Sequence, residues 1–323
     1  MKVSLPIRTL GPWKVSAVGL GCMPLSGMPS SKAAMVDDRA GAIGVIHAAL
    51  DAGVTLLDTA DIYAPSWKTF GHNESLVGEA FSTWSGSSEA KSKVVIATKG
   101  GITRGPDESW GRATSKDYFL RAAEASALRL RVDKIQLWHH HRLDPGVTFE
   151  TQFENLLVLR ERGLVEHLGV SNYSAEQLRR ALEIGGSPDQ GGVISIQNQF
   201  SARYRCEAEV IDICETNGIA YLPWSPLGGV NLSSNLVQDG SGAFSAIGES
   251  KDLSAYAIAI AWLLHRSPSM IPIPGATRIE SILDSLTGIS LSLTSGEIAQ
   301  IEASLPPDSE LDAELRLQPA FRV

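Results

Sequence analysis

The stretch that decides the fold spans residues 54–63 and reads VTLLDTADIY. Its centre, Thr55–Thr59, is a short apolar run with β-branched residues at both ends, as is typical of a buried parallel strand. Asp58 interrupts this run near its end, although a strand that only stabilises a core has little use for a charge. The stretch therefore predicts a buried strand that delivers Asp58, and then Tyr63, to the edge of a sheet.

Seven further runs of the same kind lie on both sides of this strand and alternate with longer amphipathic segments. The predicted strands are Val15–Leu20, Thr55–Thr59, Val94–Thr98, Ile135–His139, Leu168–Val170, Val193–Gln197, Ala220–Trp224 and Met270–Ile273. The predicted helices are Asp38–Ala52, Asn73–Trp84, Ser115–Arg131, Phe149–Arg162, Ala175–Ile184, Glu207–Asn217, Ser254–His265 and Ile279–Leu286. Eight alternations favour an α/β protein whose residues 1–323 form a single (β/α)8 barrel domain.

The long irregular segments all follow predicted strands. They are Pro24–Asp37, Pro65–Gly71, Gly100–Thr114 and Gly228–Gly248. In (β/α)8 barrels the loops after the strands form the catalytic face, so the extra length is concentrated where a small molecule would bind.

The composition of the chain limits the kinds of molecule that it is expected to bind. The 323 residues carry a net charge of −8, which argues against a nucleic-acid or anionic-membrane surface. The longest apolar run, Ala255–Leu264, is too short to span a bilayer, and the first ten residues do not resemble a secretion signal. Three unpaired cysteines suit a reducing compartment. We therefore expect a cytoplasmic protein with no nucleic-acid or membrane partner.

Polar residues at the ends of three neighbouring predicted strands suggest a reaction centre. Asp58, Lys99 and His141 are separated by 41 and 42 residues, about one βα unit each, which predicts that they share one rim. A lysine at that rim can depress the pKa of the Tyr63 phenol, which otherwise titrates near ~10 and is a poor acid at neutral pH. The alternatives are a structural ion pair between Asp58 and Lys99 and an ordinary loop tyrosine.

The triplet His139-His140-His141 admits a different chemistry. His139 and His141 form an HxH pair like that of metal-dependent barrel hydrolases. A metal site needs a further ligand from another strand end, whereas His47, His167 and His265 fall in predicted helices or before a predicted strand. We therefore expect no metal.

Several later strand ends suit a nucleotide. Ser171, Asn172 and Gln197 supply hydroxyl and amide groups for a carboxamide ligand. The loops after predicted strands seven and eight contain glycines and Arg278, which together suit a phosphate group. The sequence around Gly21 lacks the GxGxxG spacing of a Rossmann fold, so a nucleotide would be bound in another way.

The constellation resembles the aldo-keto reductase superfamily from Arg8 to about Leu286. The segments that carry the resemblance are Gly19-Leu20-Gly21-Cys22-Met23, Asp58-Thr59-Ala60-x-x-Tyr63, Gly71-His72-Asn73-Glu74, Thr98-Lys99-Gly100-Gly101, His141-Arg142-x-Asp144-Pro145, Gly169-Val170-Ser171-Asn172, Gln197-Asn198, Ser225-Pro226-Leu227-Gly228 and Ile273-Pro274-Gly275.

The resemblance implies an NADP(H)-dependent oxidoreductase that interconverts a small-molecule carbonyl and an alcohol, with NAD(H) as the less favoured cofactor. Its catalytic tetrad would be Asp58, Tyr63, Lys99 and His141, with Tyr63 exchanging the proton. The residues implied in cofactor binding are Gly21, Cys22, Met23, Asp58, Ser171, Asn172, Gln197, Trp224, Ser225, Pro226, Leu227, Gly228, Gly275, Thr277, Arg278, Ser281 and Ser285. The chain departs from the family at Ser281 and at Asp284-Ser285, where relatives more often carry Arg or Gln and a carboxylate followed by Asn.

Three questions stay open at this stage. A barrel of this kind can also serve as a non-catalytic NADP(H)-binding regulatory subunit, as in the β subunits of potassium channels. The candidate pocket walls, Trp67, His72, Trp110 and Arg203, suit a planar aldehyde, a pyridoxal-like ring or a keto sugar, in either direction of the reaction. The oligomeric state is left undefined.

Overall fold

The computed structural model describes residues 5–26, 35–229 and 242–305. Predicted loop positions 27–34 and 230–241, and the tail after residue 305, lie outside the described residues. The strands are β1 (Ile7–Leu10), β2 (Trp13–Ser16), β3 (Leu20–Gly21), β4 (Leu56–Asp58), β5 (Val95–Gly100), β6 (Ile102–Arg104), β7 (Trp110–Arg112), β8 (Ile135–His140), β9 (Val165–Ser171), β10 (Ser195–Gln197) and β11 (Ala220–Tyr221).

Helices follow the strands along the chain. They are α1 (Met23–Ser26), α2 (Arg39–Asp51), α3 (His72–Thr83), α4 (Ser88–Ser92), α5 (Lys116–Leu130), α6 (Phe149–Glu161), α7 (Ala175–Gly185), α8 (Ala208–Asn217), α9 (Gly242–Ser250), α10 (Ala255–Arg266), α11 (Ile279–Thr287) and α12 (Ser295–Ser304). No helix in the described part of the chain is long and apolar enough to cross a membrane.

Seven strands form one parallel sheet in the order β11-β10-β9-β8-β5-β4-β3. The remaining four form two antiparallel hairpins, β1 with β2 and β6 with β7. Because the parallel strands are neighbours in chain order, with helices in the connections, the sheet is built from successive βα units. The carboxyl ends of these strands therefore lie along one edge of the sheet.

Residues 270–275 hydrogen-bond to both edge strands of this sheet. The Ile271 N–H donates to the Tyr221 carbonyl at 2.8 Å, and the Gly21 N–H donates to the Pro274 carbonyl at 3.0 Å. The segment pairs in parallel through isolated bridges at Met270 and Gly275. It coincides with the last predicted strand, and its two prolines explain why the pairing is not continuous, since proline has no N–H to donate.

The core has two main parts. The larger apolar cluster lies between the sheet and its helices. The smaller cluster takes residues that lie on or next to several strands of the sheet, such as Leu56, Leu137 and Ile194, together with Leu10 and Val15 of the first hairpin. Apolar residues on the two faces of each strand therefore fill both sides of the curved sheet, as the near-continuous apolar runs predicted.

Most predicted elements are confirmed to within a few residues, but the first strand is wrong. Trp13–Ser16 belongs to the antiparallel hairpin, and the parallel sheet begins only at Leu20. Between them, the Ser16 hydroxyl donates to the Val18 carbonyl at 2.7 Å, which makes a local turn that competes with an extended backbone. The prediction also omitted the helices α1, α4, α9 and α12 and the β6–β7 hairpin, which were read as loops or left unassigned.

Candidate active site

The candidate side chains of Asp58 and Tyr63 meet at the buried ammonium group of Lys99. Its Nζ lies 2.7 Å from Asp58 Oδ2, 2.8 Å from the Thr59 carbonyl oxygen and 3.3 Å from the Tyr63 hydroxyl. Asp58 ends β4 and Lys99 lies near the end of the neighbouring β5, so parallel pairing brings their side chains to the same rim. Tyr63 lies in the loop after β4, and its hydroxyl reaches the same ammonium group.

Charge stabilisation keeps Lys99 protonated despite its complete burial. Burial alone would lower the pKa of Lys99, but Asp58 and Tyr63 outweigh it, and the net direction is a raised pKa. The site therefore holds a permanent positive charge beside the phenol.

The pKa of Tyr63 moves in the direction opposite to the sequence-based expectation. Burial raises it above its ordinary value of 10.0, and the opposing effect of Lys99 only reduces this rise. The expected lowering of the Tyr63 pKa is therefore wrong. The phenol is only 9% exposed, and its removal from water outweighs the attraction of the Lys99 ammonium group.

His141 lies against Tyr63 at the end of β8. Their ring centroids are 5.7 Å apart and the rings are nearly perpendicular, at 85°. The His141 N–H donates to the Gly100 carbonyl at 2.9 Å, and Asn172 Nδ2 donates to the His141 carbonyl at 3.1 Å, so both sides of its backbone are held. Burial and the charge of Lys99 place the pKa of His141 well below 6.5, which makes the imidazole neutral.

Arg104, which the sequence analysis did not single out, holds the backbone on both sides of Tyr63. Its Nη2 donates to the carbonyl oxygens of Ile62 and Ala64 at 3.1 and 3.0 Å. The Tyr63 carbonyl accepts from the Asn73 N–H at 3.1 Å, so three consecutive carbonyls are bonded. Arg104 comes from the hairpin after β5, and no sequence signal links an arginine there to a loop about 40 residues earlier.

Gln197 binds Asp58 from the far side of the sheet. Its Nε2 donates to Asp58 Oδ1 at 2.7 Å, while Lys99 occupies Oδ2. The Ser171 hydroxyl in turn donates to the Gln197 carbonyl at 2.7 Å. Gln197 was expected to contact a carboxamide ligand; its amide nitrogen is instead bonded to the carboxylate, and its side-chain oxygen remains for a ligand.

Asn172 and Trp224 face each other across the ends of two strands. Asn172 has φ = 60°, and its Oδ1 accepts from Trp224 Nε1 at 3.2 Å. Its Nδ2 also donates to Ser171 Oγ at 2.9 Å. The left-handed backbone aims the amide into this network rather than into a helix cap, and α7 is capped by Ser174 and Gln177.

The loop after β11 turns sharply through residues 225–229. Ser225, Gly228 and Gly229 have φ values of 53°, 99° and 105°. The Gly228 N–H closes the turn by donating to the Ser225 carbonyl at 2.9 Å. The positive φ of the successive residues Gly228 and Gly229 curves the backbone in the way that anion-binding turns do. Pro226 and Leu227 form the middle of this turn, and Leu227 packs on the main core.

Of the candidate nucleotide residues nearest the start of the sheet, Gly21 and Cys22 are buried and Met23 is partly buried. Gly21 pairs with Asp58, and the Cys22 N–H donates to the Asp58 carbonyl at 2.8 Å. Burial raises the pKa of the Cys22 thiol, so the thiol is a packing group here. Met23 packs beside Tyr63.

The candidates for the adenosine end lie around the start of α11. Arg278 precedes the helix, is exposed, and forms no ion pair within the described ranges. Gly275 and Thr277 precede it in the same loop. Ser285 donates to the Ser281 carbonyl at 3.1 Å, which uses its hydroxyl inside the helix.

His139 and His140 take part in core contacts. His139 Nε2 lies 2.9 Å from Ser195 Oγ, and His140 Nδ1 lies 2.8 Å from the Tyr173 hydroxyl. Burial lowers the pKa of each to about 3. Across residues 5–26, 35–229 and 242–305, no three His, Cys, Asp or Glu side chains are grouped so as to hold a metal ion.

The candidate wall residues are spread around this rim. Trp67 N–H donates to the Glu108 carboxylate at 3.1 Å, and the Trp110 ring lies 4.8 Å from the Arg104 guanidinium. His72 Nδ1 lies 2.8 Å from Ser26 Oγ at the start of α3, which favours a structural role for this histidine. Arg203 lies in the turn after β10, where its N–H donates to Ser201 Oγ at 3.2 Å.

Comparison with known proteins agrees with this geometry. The model of the aldo/keto reductase family matches residues 17–306, and the chain therefore belongs to that family of oxidoreductases. An uncharacterized oxidoreductase of Schizosaccharomyces pombe is 30% identical over 91% of this chain and 88% of its own.

Solved structures show the same fold at lower identity. An aldo-keto reductase from Klebsiella pneumoniae in complex with NADPH is 21% identical, with a TM-score of 0.75, and covers 94% of this chain and 96% of its own. A thermostable aldo-keto reductase in complex with the inhibitor epalrestat is 22% identical, with a TM-score of 0.75, over 93% and 99% of the two chains.

Proposed function

We propose that this protein is an NADP(H)-dependent oxidoreductase that interconverts an aldehyde or ketone and an alcohol, with Tyr63 as the acid and base. The observation that carries the proposal is the contact of one buried ammonium group, that of Lys99, with both Asp58 and Tyr63. A purely structural ion pair would not need a phenol as its third partner. Membership of the aldo/keto reductase family supports the same chemistry.

Tyr63 holds the proton that reduction requires. Its raised pKa keeps the phenol protonated at neutral pH, and the Lys99 ammonium at 3.3 Å stabilises the phenolate as the proton leaves. Asp58 fixes the ammonium in place and is itself fixed by Gln197. The proton is therefore released to the substrate oxygen from a group whose charged form is stabilised in advance.

His141 orients the substrate oxygen in this proposal. Its imidazole is neutral and so carries a single N–H, and its ring lies against Tyr63. A neutral donor can hydrogen-bond the carbonyl oxygen without competing to protonate it.

The residues present fit a nicotinamide dinucleotide phosphate. When bound, NADPH supplies the hydride. Ser171, Asn172 and the Gln197 oxygen would hold the carboxamide, and Trp224 would line the ring. The turn 225–229 would offer the backbone N–H groups that it does not use internally to a pyrophosphate, and Arg278, exposed at the start of α11, suits the additional phosphate.

The remaining contacts that we propose for the cofactor come from the loops next to these groups. They are Gly21, Cys22, Met23, Asp58, Ser225, Pro226, Leu227, Gly228, Gly275, Thr277, Ser281 and Ser285. The Klebsiella pneumoniae relative, which was crystallised with NADPH, supports this choice of cofactor.

We also infer that the sheet closes into a single (β/α)8 barrel domain, with residues 270–275 as its eighth strand. The hydrogen bonds of this segment to both β3 and β11 support closure. A closed sheet has no free edge, and the carboxyl ends of its strands surround one pocket.

Assays of NADPH consumption with a panel of aldehydes and ketones, together with alcohol oxidation by NADP+ and NAD+, test the proposal. We expect many turnovers per protein molecule with at least one carbonyl and a preference for NADPH over NADH. Tight NADPH binding without turnover across the panel would instead support the alternative of a non-catalytic regulatory subunit. No feature of the described residues favours that alternative.

A further inference from the structure

Two arginines beside the Tyr63–His141 pair have no acidic partner. Arg142 directly follows His141, and Arg112 lies on β7 of the second hairpin. Neither guanidinium forms an ion pair with a carboxylate in the three described ranges. Among the described residues, the only side-chain hydrogen bond of Arg112 goes to its neighbour, the Gly111 carbonyl, at 3.0 Å.

The strand geometry directs Arg112 toward the reaction centre. In the β6–β7 register Arg112 is opposite Ile102, and cross-strand partners project from the same face of a hairpin. Ile102 is buried in one cluster with Tyr63, and Trp110, two residues before Arg112 on the same face, packs on that cluster. The side of β7 that carries Arg112 therefore faces the Tyr63 loop.

The two guanidinium groups and the reaction centre influence one another. Burial and then the positive charge of Arg112 lower the pKa of Arg142, while Tyr63 opposes this. After burial and Lys99, Arg142 and Arg112 are the next largest causes of the lowered pKa of His141. Asp144 acts on Arg112, yet it stays beyond ion-pair distance and binds the Gly146 N–H at 2.8 Å.

Two guanidinium groups that lie close together in a half-buried position repel each other, and this arrangement is unfavourable unless an anionic group binds to them. Other arginines of this chain satisfy that condition internally: Arg39 contacts Glu79, Arg129 contacts Glu74 at 2.6 Å, and Arg179 contacts Glu209 at 2.6 Å. Paired guanidinium groups match the oxygens of carboxylates and phosphates in charge and geometry.

We propose that Arg112 and Arg142 recognise an anionic group, a carboxylate or a phosphate, on the carbonyl substrate. This inference rests on the proposed function, because it identifies the class of substrate that the same pocket takes. The carbonyl lies at Tyr63 and His141, and the acid group of the same molecule lies between the two guanidiniums. The neutral pyridoxal-like ring and the neutral keto sugar are then poorer substrates than their acidic counterparts.

Matched substrates test the proposal. We expect kcat/KM for 4-carboxybenzaldehyde to exceed that for methyl 4-formylbenzoate by about 10-fold or more, the scale of a charge-assisted hydrogen bond. In Arg142→Met and Arg112→Met this ratio falls toward one, and Arg142→Lys keeps part of it. Arg121→Gln, which removes the same charge from the exposed surface of α5, keeps the wild-type ratio.

A binding measurement separates this inference from the proposed function. Calorimetric titration of 4-carboxybenzaldehyde into the NADP+-saturated protein, a pair that cannot transfer a hydride, should give an affinity that drops about 10-fold in Arg142→Met. Retained binding without aldehyde turnover would refute the proposed function alone. Equal kcat/KM for the acid and the ester, or inhibition by inorganic phosphate without any preference for the acidic aldehyde, would overturn the assignment of the arginine pair.

Discussion

The Lys99 ammonium nitrogen lies 3.3 Å from the Tyr63 hydroxyl, and Lys99 itself is completely buried. The same nitrogen bonds the Asp58 carboxylate and the Thr59 carbonyl, so all three of its protons have partners. A lysine satisfied in this way has one geometry rather than several. Its charge is therefore delivered to the phenol from a fixed point, which is the condition for electrostatic stabilisation of a phenolate.

Removal of Lys99 alone should destabilise the fold as well as the reaction. In Lys99→Met the buried Asp58 carboxylate keeps only Gln197 as a side-chain donor, and breaking a buried pair costs about 3–5 kcal/mol. The double variant Asp58→Asn/Lys99→Met removes both charges and should regain most of that loss while remaining inactive. Urea unfolding of the wild type, the two single variants and the double variant measures this coupling; additive losses would contradict it.

Arg104 should act on the rate rather than on substrate affinity. It bonds the carbonyls on both sides of Tyr63, so its loss lets the phenol move relative to Lys99 and His141. Misplacement of a catalytic group on the ångström scale can cost about 100-fold, so we expect Arg104→Met to lower kcat by about 10- to 100-fold with a smaller change in KM.

The conservative variant Arg104→Lys keeps one donor near these carbonyls and should recover part of kcat. Glu108→Gln is the matched control, because it weakens the ion pair to Arg104 without removing the donors to Ile62 and Ala64. A rise in KM at constant kcat in Arg104→Met would place this residue in substrate binding instead.

The pH dependence should differ between the two directions of the reaction. The raised pKa of Tyr63 keeps the acid form dominant, and the lowered pKa of His141 removes imidazole titration from the neutral range. Reduction should therefore be independent of pH from about pH 6 to about pH 9, whereas alcohol oxidation, which needs the phenolate, should rise throughout that range. Steady-state profiles of kcat/KM check this, and an inflection of reduction near the ordinary histidine pKa would contradict a neutral His141.

Most of the fold follows from local patterns. The apolar runs ending in Asp58, His140 and Gln197 are continuous because each strand is buried on both faces, so the parallel sheet was predictable. The first hairpin was missed because Val15 and Val18 read as one apolar run. The turn between them depends on the Ser16 hydroxyl, which donates to the Val18 carbonyl and accepts from the Thr55 N–H. Helix α9 was missed because its glycine- and serine-containing sequence has a weak helical propensity.

The site residues that end strands were predictable from the sequence. The site residues that lie in loops and hairpins were not. Asp58 and Lys99 share a rim because parallel strands align them. Arg104 and Arg112 reach the same rim through the hairpin after β5, whose conformation depends on contacts distant in the sequence. The direction of the Tyr63 pKa was also inaccessible, because it depends on how completely the phenol is removed from water.

Arg278 should discriminate between the two dinucleotides. Because it is exposed and forms no ion pair among the described residues, its guanidinium is available for a phosphate. Loss of a charge-assisted contact predicts that Arg278→Gln raises KM for NADPH by about 10- to 100-fold and leaves KM for NADH nearly unchanged. Initial-rate kinetics with both cofactors measure the ratio, with Arg121→Gln as the charge-matched control; a parallel rise for both cofactors would remove Arg278 from phosphate recognition.

The most direct test is Tyr63→Phe, which removes one hydroxyl oxygen and keeps the ring packed against His141. We measure NADPH affinity by fluorescence titration and turnover with the best aldehyde on the same preparation. The account predicts a nearly unchanged NADPH affinity and a turnover at least ~100-fold lower, the scale of a lost general acid. Turnover equal to that of the wild type would contradict the assignment of Tyr63 as the proton donor.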